Sequence, residues 1–137
     1  MSDKVKLTFA LMDPPFESAN TGTAFRLMDI AAKRGYDLVV FAYEGATALT
    51  FSHQKAHANA VHGHNADEED HPLPKEWVVA LQKECEKNGA AMDWINCGLC
   101  VDERGVNEAV EGTRRGSPAD LWNASKESTN TLIIGTK

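Results

Sequence analysis

The sequence contains no hydrophobic run that approaches the roughly 20 residues required to cross a bilayer, which excludes a membrane-spanning helix. Basic residues are few: 14 lysines and arginines stand against 20 aspartates and glutamates, and the formal net charge is -6. Such a chain repels phosphate groups, and no cluster of basic residues compensates, so we expect neither nucleic acid nor a membrane as its partner. Proteins or small molecules are the expected partners.

Cysteine is also scarce, with three residues in the chain. The first ten residues, Met1 to Ala10, lack the apolar core and small-residue cleavage site of a signal peptide, so we expect a cytoplasmic protein. In that compartment an odd number of cysteines disfavours a framework of structural disulfides. Reduced, metal-bound or reactive thiols are favoured instead, which makes cysteine chemistry the first candidate function.

The 137 residues, 42% of them hydrophobic, suit one folded domain that spans residues 1–137. Apolar runs alternate with segments of helical periodicity. The pattern predicts strands at 5–11, 38–43, 91–96 and 131–134, and helices at 24–34, 77–88, 107–110 and from 118 onward. Continuous apolar strands are typical of a parallel sheet covered on both faces. We therefore predict an α/β fold with a mainly parallel sheet between two layers of helices.

Residues 52–74 interrupt this alternation with polar, charged and proline residues, which predicts a long mobile loop. All the histidines of the chain fall in this segment: His53, His57, His62, His64 and His71. Imidazoles beside carboxylates bind zinc, nickel or copper, but no family-specific metal signature is present. Two interpretations stay open, namely a solvated loop or a metal site built from His53, His57, His62 and His64.

Cys97 directly follows the strand predicted at 91–96 and precedes a glycine-flanked turn. Functional side chains of parallel sheets lie beyond the carboxyl ends of the strands. If a helical turn begins there, its backbone N–H groups would stabilise a thiolate or a persulfide anion. Arg104 would add positive charge, whereas Asp102 and Glu103 would oppose ionisation if they pointed inward. A buried, unreactive cysteine is the alternative interpretation.

Cys97 and Cys100 also form a C-x-x-C motif, which is typical of a reversible disulfide or of half a zinc site. A zinc ribbon needs a second such pair, and the sequence has none. Cys85 shares a helical face with Trp77 and Leu81, so we predict that it is a small buried hydrophobic residue.

Two segments resemble the DsrE/TusD sulfur-relay family. The first runs from Ala24 through Gly35 to Tyr43-Glu44-Gly45-Ala46. It is similar to a helix that the family ends at a glycine, followed by a strand that leads into Tyr-x-x-Gly-Val. In the second, Asp93-Trp94-Ile95-Asn96-Cys97, followed by Arg104-Gly105-Val106, looks like the family's strand, active cysteine and Arg-Gly-Val. The resemblance spans most of the chain, including its final strand.

The resemblance implies a flavodoxin-like three-layer α/β/α sandwich that assembles into homo-trimers or hexamers. It further implies transfer of sulfane sulfur, held as a cysteine persulfide, to or from a small sulfur-carrier protein or persulfide donor, with no cofactor. Spacing to Arg104 assigns the family's cysteine to Cys97, and Cys100 would resolve the persulfide as a disulfide. The Gly-Leu-Cys-Val-Asp-Glu sequence after Cys97 and the histidine-rich segment depart from the family pattern. These departures keep open a metal-binding or non-catalytic regulatory subunit.

Overall fold

The structure, a computed structural model, describes residues 4–56 and 72–136. Its strands are β1 (Lys6–Leu11), β2 (Asp37–Ala42), β3 (Met92–Cys97), β4 (Thr113–Gly116) and β5 (Asn130–Ile134). Its helices are α1 (Ala19–Lys33), α2 (Pro74–Lys87), α3 (Gly98–Arg104) and α4 (Pro118–Glu127), with a 3-10 helix at Glu44–Thr50. The five strands form one sheet in the order β4-β3-β2-β1-β5, and every pair is parallel. The predicted parallel sheet is confirmed.

Alternate residues of the central strands are buried on opposite faces of the sheet. Phe9 and Trp94 belong to the larger core, beneath α1 and α2. Phe41 and Ile95 belong to a smaller core on the other face, where Ala124 of α4 packs on them. Both faces of the strands are therefore covered, which is why the strands read as continuous apolar runs. The flavodoxin-like three-layer α/β/α sandwich is confirmed.

Helix α4 begins where the sequence predicts. Ser117 is its N-cap, Pro118 is its first helical residue, and the Asp120 carboxylate accepts a hydrogen bond from the Ser117 N–H at 2.8 Å. This bond satisfies the N-cap amide, which has no partner within the helix. Helix α1 is capped in a related way, because the Ser18 hydroxyl accepts from the N–H of Asn20.

The segment after β3 differs from the prediction in two ways. Residues 98–104 form helix α3, where a turn was predicted. Residues 107–110, predicted as a short helix, are not helical. The N–H of Val110 donates to the Thr50 carbonyl at 2.8 Å, and the Glu108 carbonyl accepts from the N–H of Ser52 at 2.7 Å. These backbone groups bond to the end of the 3-10 helix, so a local helix does not form.

Strand β4 was not predicted from the sequence. Its four residues, Thr-Arg-Arg-Gly, include no apolar side chain. It lies at the edge of the sheet, where it pairs with β3 and places Arg115 beside Asn96. Charged side chains are usual on an edge strand because they prevent pairing with another chain. Hydrophobic periodicity therefore cannot reveal such a strand.

The loop predicted at 52–74 is described at its two ends. The Lys75 N–H donates to the Gln54 side chain at 3.0 Å, and the Lys75 ammonium donates to the Ser52 carbonyl at 2.8 Å. These bonds hold the two ends of the segment together. The prediction of mobility for residues 57–71 lies outside the described residues.

None of the helices in residues 4–56 and 72–136 combines the length and hydrophobicity needed to cross a membrane.

Candidate functional site

The cysteine motif lies where β3 passes into α3. Cys97 is the last residue of β3 and the N-cap position of α3, with extended backbone angles. Its side chain points to the same face of the sheet as Ile95, and 7% of its surface is exposed. The predicted position of Cys97 at the carboxyl end of a strand is confirmed. Helix α3 has seven residues.

Cys100 lies one helical turn after Cys97 and faces the same small core. Cys97 is therefore a neighbour of Cys100 within that cluster. The main-chain N–H of Glu44, at the start of the 3-10 helix, donates to the Cys100 sulfur at 3.1 Å. Burial is the main reason why the pKa of Cys100 is raised, and the N–H of Glu44 opposes that effect. The motif is thus a buried dithiol, with one sulfur anchored by a backbone amide.

The cation that acts on Cys97 is Arg115, from the unpredicted strand β4. Its guanidinium donates two hydrogen bonds of 2.9 Å to the Asp102 carboxylate and lies 3.4 Å from the Gly98 carbonyl. The hydrogen bonds to Asp102, and a smaller attraction to a charged Cys97, raise the pKa of Arg115.

Arg104, predicted as the anion stabiliser, lies at the far end of α3. Its guanidinium donates to the Glu44 carboxylate at 3.0 Å and to the Cys100 carbonyl at 3.5 Å, and lies 3.8 Å from Glu103. Arg104 thus ties α3 to the 3-10 helix that presents the amide bonded to Cys100. The acids at 102 and 103 are each paired with an arginine, so neither is an isolated negative charge beside Cys97.

A cavity of about 520 Å³ opens at the carboxyl edge of the sheet. Its lining residues are Met12, Pro14, Glu44, Gly45, Ala48, Arg104 and Thr136. It adjoins Cys100 through Glu44, although neither cysteine lines it. Another cavity, of about 430 Å³, lies between Phe25 of α1 and Trp77 of α2, on the side of the sheet that faces away from the dithiol.

The end of β1 has a structural role. Asp13 is buried and accepts hydrogen bonds from the Ser18 hydroxyl and, at 3.3 Å, from the Asn20 amide. Asn20 also donates to the Gly135 carbonyl at 3.1 Å. These bonds join the start of α1 to the ends of β1 and β5. The polar side chains of Asp13, Ser18 and Asn20 thus form hydrogen bonds within this cluster.

Cys85 is apart from the other two cysteines. It lies on the inner face of α2, in the larger core, and 1% of its surface is exposed. Burial, and to a lesser extent the nearby carboxylate of Asp37, raise its pKa to about 11. The prediction that Cys85 is a small buried hydrophobic residue is confirmed.

Only one of the candidate metal-binding histidines is described. His53 is exposed and contacts the Glu108 carboxylate. His57, His62 and His64 lie outside the described residues, as does His71. Within residues 4–56 and 72–136, no three histidine, cysteine or acidic side chains converge as a metal site would require.

The chain is similar in sequence to one protein family and in fold to solved structures. A sequence model of the DsrE/DsrF-like family matches residues 5–132. The crystal structure of the YchN protein from E. coli covers 94% of this chain and 98% of its own, with a TM-score of 0.67 and 18% identity. A conserved protein of unknown function from Bacteroides thetaiotaomicron covers 94% of each chain, with a TM-score of 0.56 and 14% identity. At these identities the two structures share the fold with this chain. No curated protein matches it.

Proposed function

Because the chain belongs to the DsrE/DsrF-like family, whose members generally act in sulfur relay, we propose that it carries sulfane sulfur as a persulfide on Cys97. The observation that carries the proposal is the position of Cys97 at the carboxyl end of β3, beside the guanidinium of Arg115. A persulfide is an anion near neutral pH, and a fixed positive charge stabilises it. The motif of the resemblance and the local charge therefore favour the same residue.

The reaction is two successive sulfur transfers. The Cys97 thiolate attacks the outer sulfur of a donor persulfide, the donor's S–S bond breaks, and the donor leaves as a thiolate. An acceptor thiolate then attacks the outer sulfur on Cys97, which leaves Cys97 as a thiolate and the acceptor as a persulfide. Both steps begin and end with one anionic sulfur, so a cation beside Cys97 serves each of them. No cofactor is required.

The donor or acceptor is proposed to be a small sulfur-carrier protein or a low-molecular-weight persulfide, and the setting the cytoplasm. The chain is proposed to act as one domain in a homo-trimer or hexamer.

Two large apolar side chains support self-association: Trp122 on α4 and Ile133 on β5 are 68% and 65% exposed. Ile133 points to the α4 face, because its neighbours Leu132 and Ile134 pack against the opposite core.

The test measures sulfane sulfur bound to protein variants. Because the Cys100 thiol would react with its neighbour, the comparison is made between Cys100→Ser and the double variant Cys97→Ser/Cys100→Ser. Each is incubated with glutathione persulfide, desalted and treated with cyanide, which converts sulfane sulfur to thiocyanate. We expect close to one thiocyanate per chain from Cys100→Ser and none from the double variant. Equal yields from the two proteins would refute Cys97 as the carrier.

A further inference from the structure

A second thiol lies within reach of the proposed persulfide. Cys97 precedes α3 and Cys100 occupies the third position of the helix, so the two residues share one side of its first turn. Both belong to the same buried cluster, and 7% and 9% of their surfaces are exposed. Side chains separated by one helical turn have Cα atoms within the span that a disulfide bridges. The pair therefore suits a disulfide across the first turn of α3.

The Cys100 sulfur is held in place from the opposite side. Glu44 has a left-handed backbone conformation, with φ of 52°, which a non-glycine residue adopts at a cost. In that conformation its N–H points at Cys100, 3.1 Å from the sulfur. The Arg104–Glu44 ion pair and the bond from Arg104 to the Cys100 carbonyl join the same two segments. This N–H donor opposes the effect of burial, which raises the pKa of Cys100, and so favours the thiolate that the attack requires.

Building on the proposed function, we propose that this protein also reduces its bound sulfane sulfur and releases it as hydrogen sulfide, with Cys100 as the attacking thiol. Cys100 attacks the inner sulfur of the Cys97 persulfide. A bond forms between the two cysteine sulfurs, the bond to the outer sulfur breaks, and the outer sulfur leaves as hydrosulfide. The sulfane sulfur gains two electrons, which the two cysteines supply as they become a disulfide.

The step leaves Cys97 and Cys100 as a disulfide, so a reductant must reduce that disulfide before the next cycle. A dithiol reductant reopens the disulfide and is itself oxidised to a disulfide, which returns both cysteines to thiols. The buried dithiol makes the internal attack competitive, because the two sulfurs are neighbours whereas an external acceptor must first dock. The protein would thus pass sulfur to an acceptor when one is bound, and release sulfide when none is present. Cys85 takes no part, since it lies in the core on the other face of the sheet.

The experiment follows the fate of a single loaded sulfur atom. Wild type, Cys100→Ser, Cys100→Ala and the control Cys85→Ala are reduced, treated with one equivalent of glutathione persulfide, and desalted without thiol. Sulfide is trapped with monobromobimane, and the intact protein is weighed by mass spectrometry. We expect wild type and Cys85→Ala to release about one sulfide per loaded chain and to become lighter by two hydrogen atoms. Both Cys100 variants should keep the added sulfur and release sulfide only after dithiothreitol is supplied.

The outcomes separate this inference from the proposed function. If both Cys100 variants load sulfur but wild type retains it equally long, the inference fails and the carrier function stands. If none of the variants loads sulfur, the carrier function fails and the inference fails with it. If wild type releases sulfide without forming the Cys97–Cys100 disulfide, the role given to Cys100 is wrong. Because the serine and alanine variants remove the same thiol, agreement between them excludes a folding defect peculiar to one.

Discussion

Arg115 lies so close to Gly98 that a Cβ atom on residue 98 would come within 3.0 Å of the Arg115 Nη2 atom. The guanidinium occupies the space that a side chain at 98 would take, and Asp102 fixes it there with two hydrogen bonds. Strand β4 and the first turn of α3 therefore deliver a positive charge to the residue next to Cys97. The Arg115–Asp102 ion pair therefore lies beside the residue that follows Cys97.

Replacement of Arg115 by glutamine is expected to slow alkylation of Cys97. Loss of a nearby positive charge removes an attraction to the reacting thiolate, so we expect a rate lower by up to roughly fivefold. The rate is measured with limiting iodoacetamide at neutral pH in the Cys100→Ser background. Arg114→Gln is the matched control, because Arg114 is the adjacent arginine of β4 but pairs with Asp93 and Asp120, whereas Arg115 lies against Gly98. Equal slowing by both substitutions would point to a general loss of charge on β4 rather than to the contact at Gly98.

Two glycine substitutions are expected to change stability in opposite directions. A Cβ on Gly45 would come within 2.9 Å of the Pro14 ring, which cannot move aside, so Gly45→Ala should destabilise the protein by about 1–3 kcal/mol. A Cβ on Gly22, inside α1, meets no atom within 4 Å. Gly22→Ala should therefore raise the free energy of unfolding by about 0.5–1 kcal/mol. Urea unfolding followed by circular dichroism measures both, and a Gly45→Ala variant as stable as wild type would contradict the close packing.

Cys85 is expected to stay unmodified in the native protein and to make stability depend on pH in the alkaline range. Its pKa is raised to about 11 by burial, so its neutral form stabilises the fold below the ordinary thiol pKa. That contribution is lost as pH rises through the folded-state value, because the thiolate must then be buried. Cys85→Ala should cost about 1 kcal/mol near neutral pH, the burial free energy of a group of that size. The difference from wild type should shrink as pH approaches about 11.

Urea titrations at several pH values test this, with the ratio of native to unfolded alkylation as a second measurement. A difference in unfolding free energy that is the same at pH 7 and above pH 10 would show that Cys85 ionises as freely in the folded chain as in the unfolded one.

Self-association is expected to depend on the exposed apolar side chains beside α4. Trp122→Glu places a charge in the proposed interface and should convert the oligomer to a single chain at micromolar concentration. Ile30→Glu is the control, because Ile30 is half exposed on α1, on the other side of the sheet. Light scattering gives the mass of each variant. A monomeric wild type would contradict the proposed assembly outright.

The sequence predicts those elements that depend on burial of nearby apolar side chains or on local capping residues. Four strands, the capped start of α4 and the burial of Cys85 follow from hydrophobic periodicity and from the Ser117-Pro118 signal. Strand β4 does not, because Thr-Arg-Arg-Gly gains its conformation from pairing with β3 rather than from burial of side chains. The predicted helix at 107–110 was wrong for a related reason, since its backbone bonds lead to residues distant in sequence.

In the candidate site, too, local sequence features predict some residues and not others. Cys97 and Cys100 could be identified from the chain, because a strand end and a C-x-x-C spacing are local features. Arg115 and the N–H of Glu44 could not, because one reaches the site through an edge strand and the other through a left-handed backbone turn. Arg104 was placed near the thiol by its distance in sequence, whereas in the structure it spans α3 and Glu44.

The location of the bound sulfur tests the central claim most directly. Cys100→Ser and Cys97→Ser are each incubated with glutathione persulfide, alkylated, digested with trypsin and fragmented in the mass spectrometer. Cleavage after Lys87 and Arg104 leaves residues 97 and 100 on one peptide and Cys85 on another, so fragmentation assigns the sulfur to one residue. We predict one additional sulfur atom on Cys97 of Cys100→Ser and none anywhere in Cys97→Ser. Loading that persists in Cys97→Ser and disappears in Cys100→Ser would show that Cys100, not Cys97, carries the sulfur.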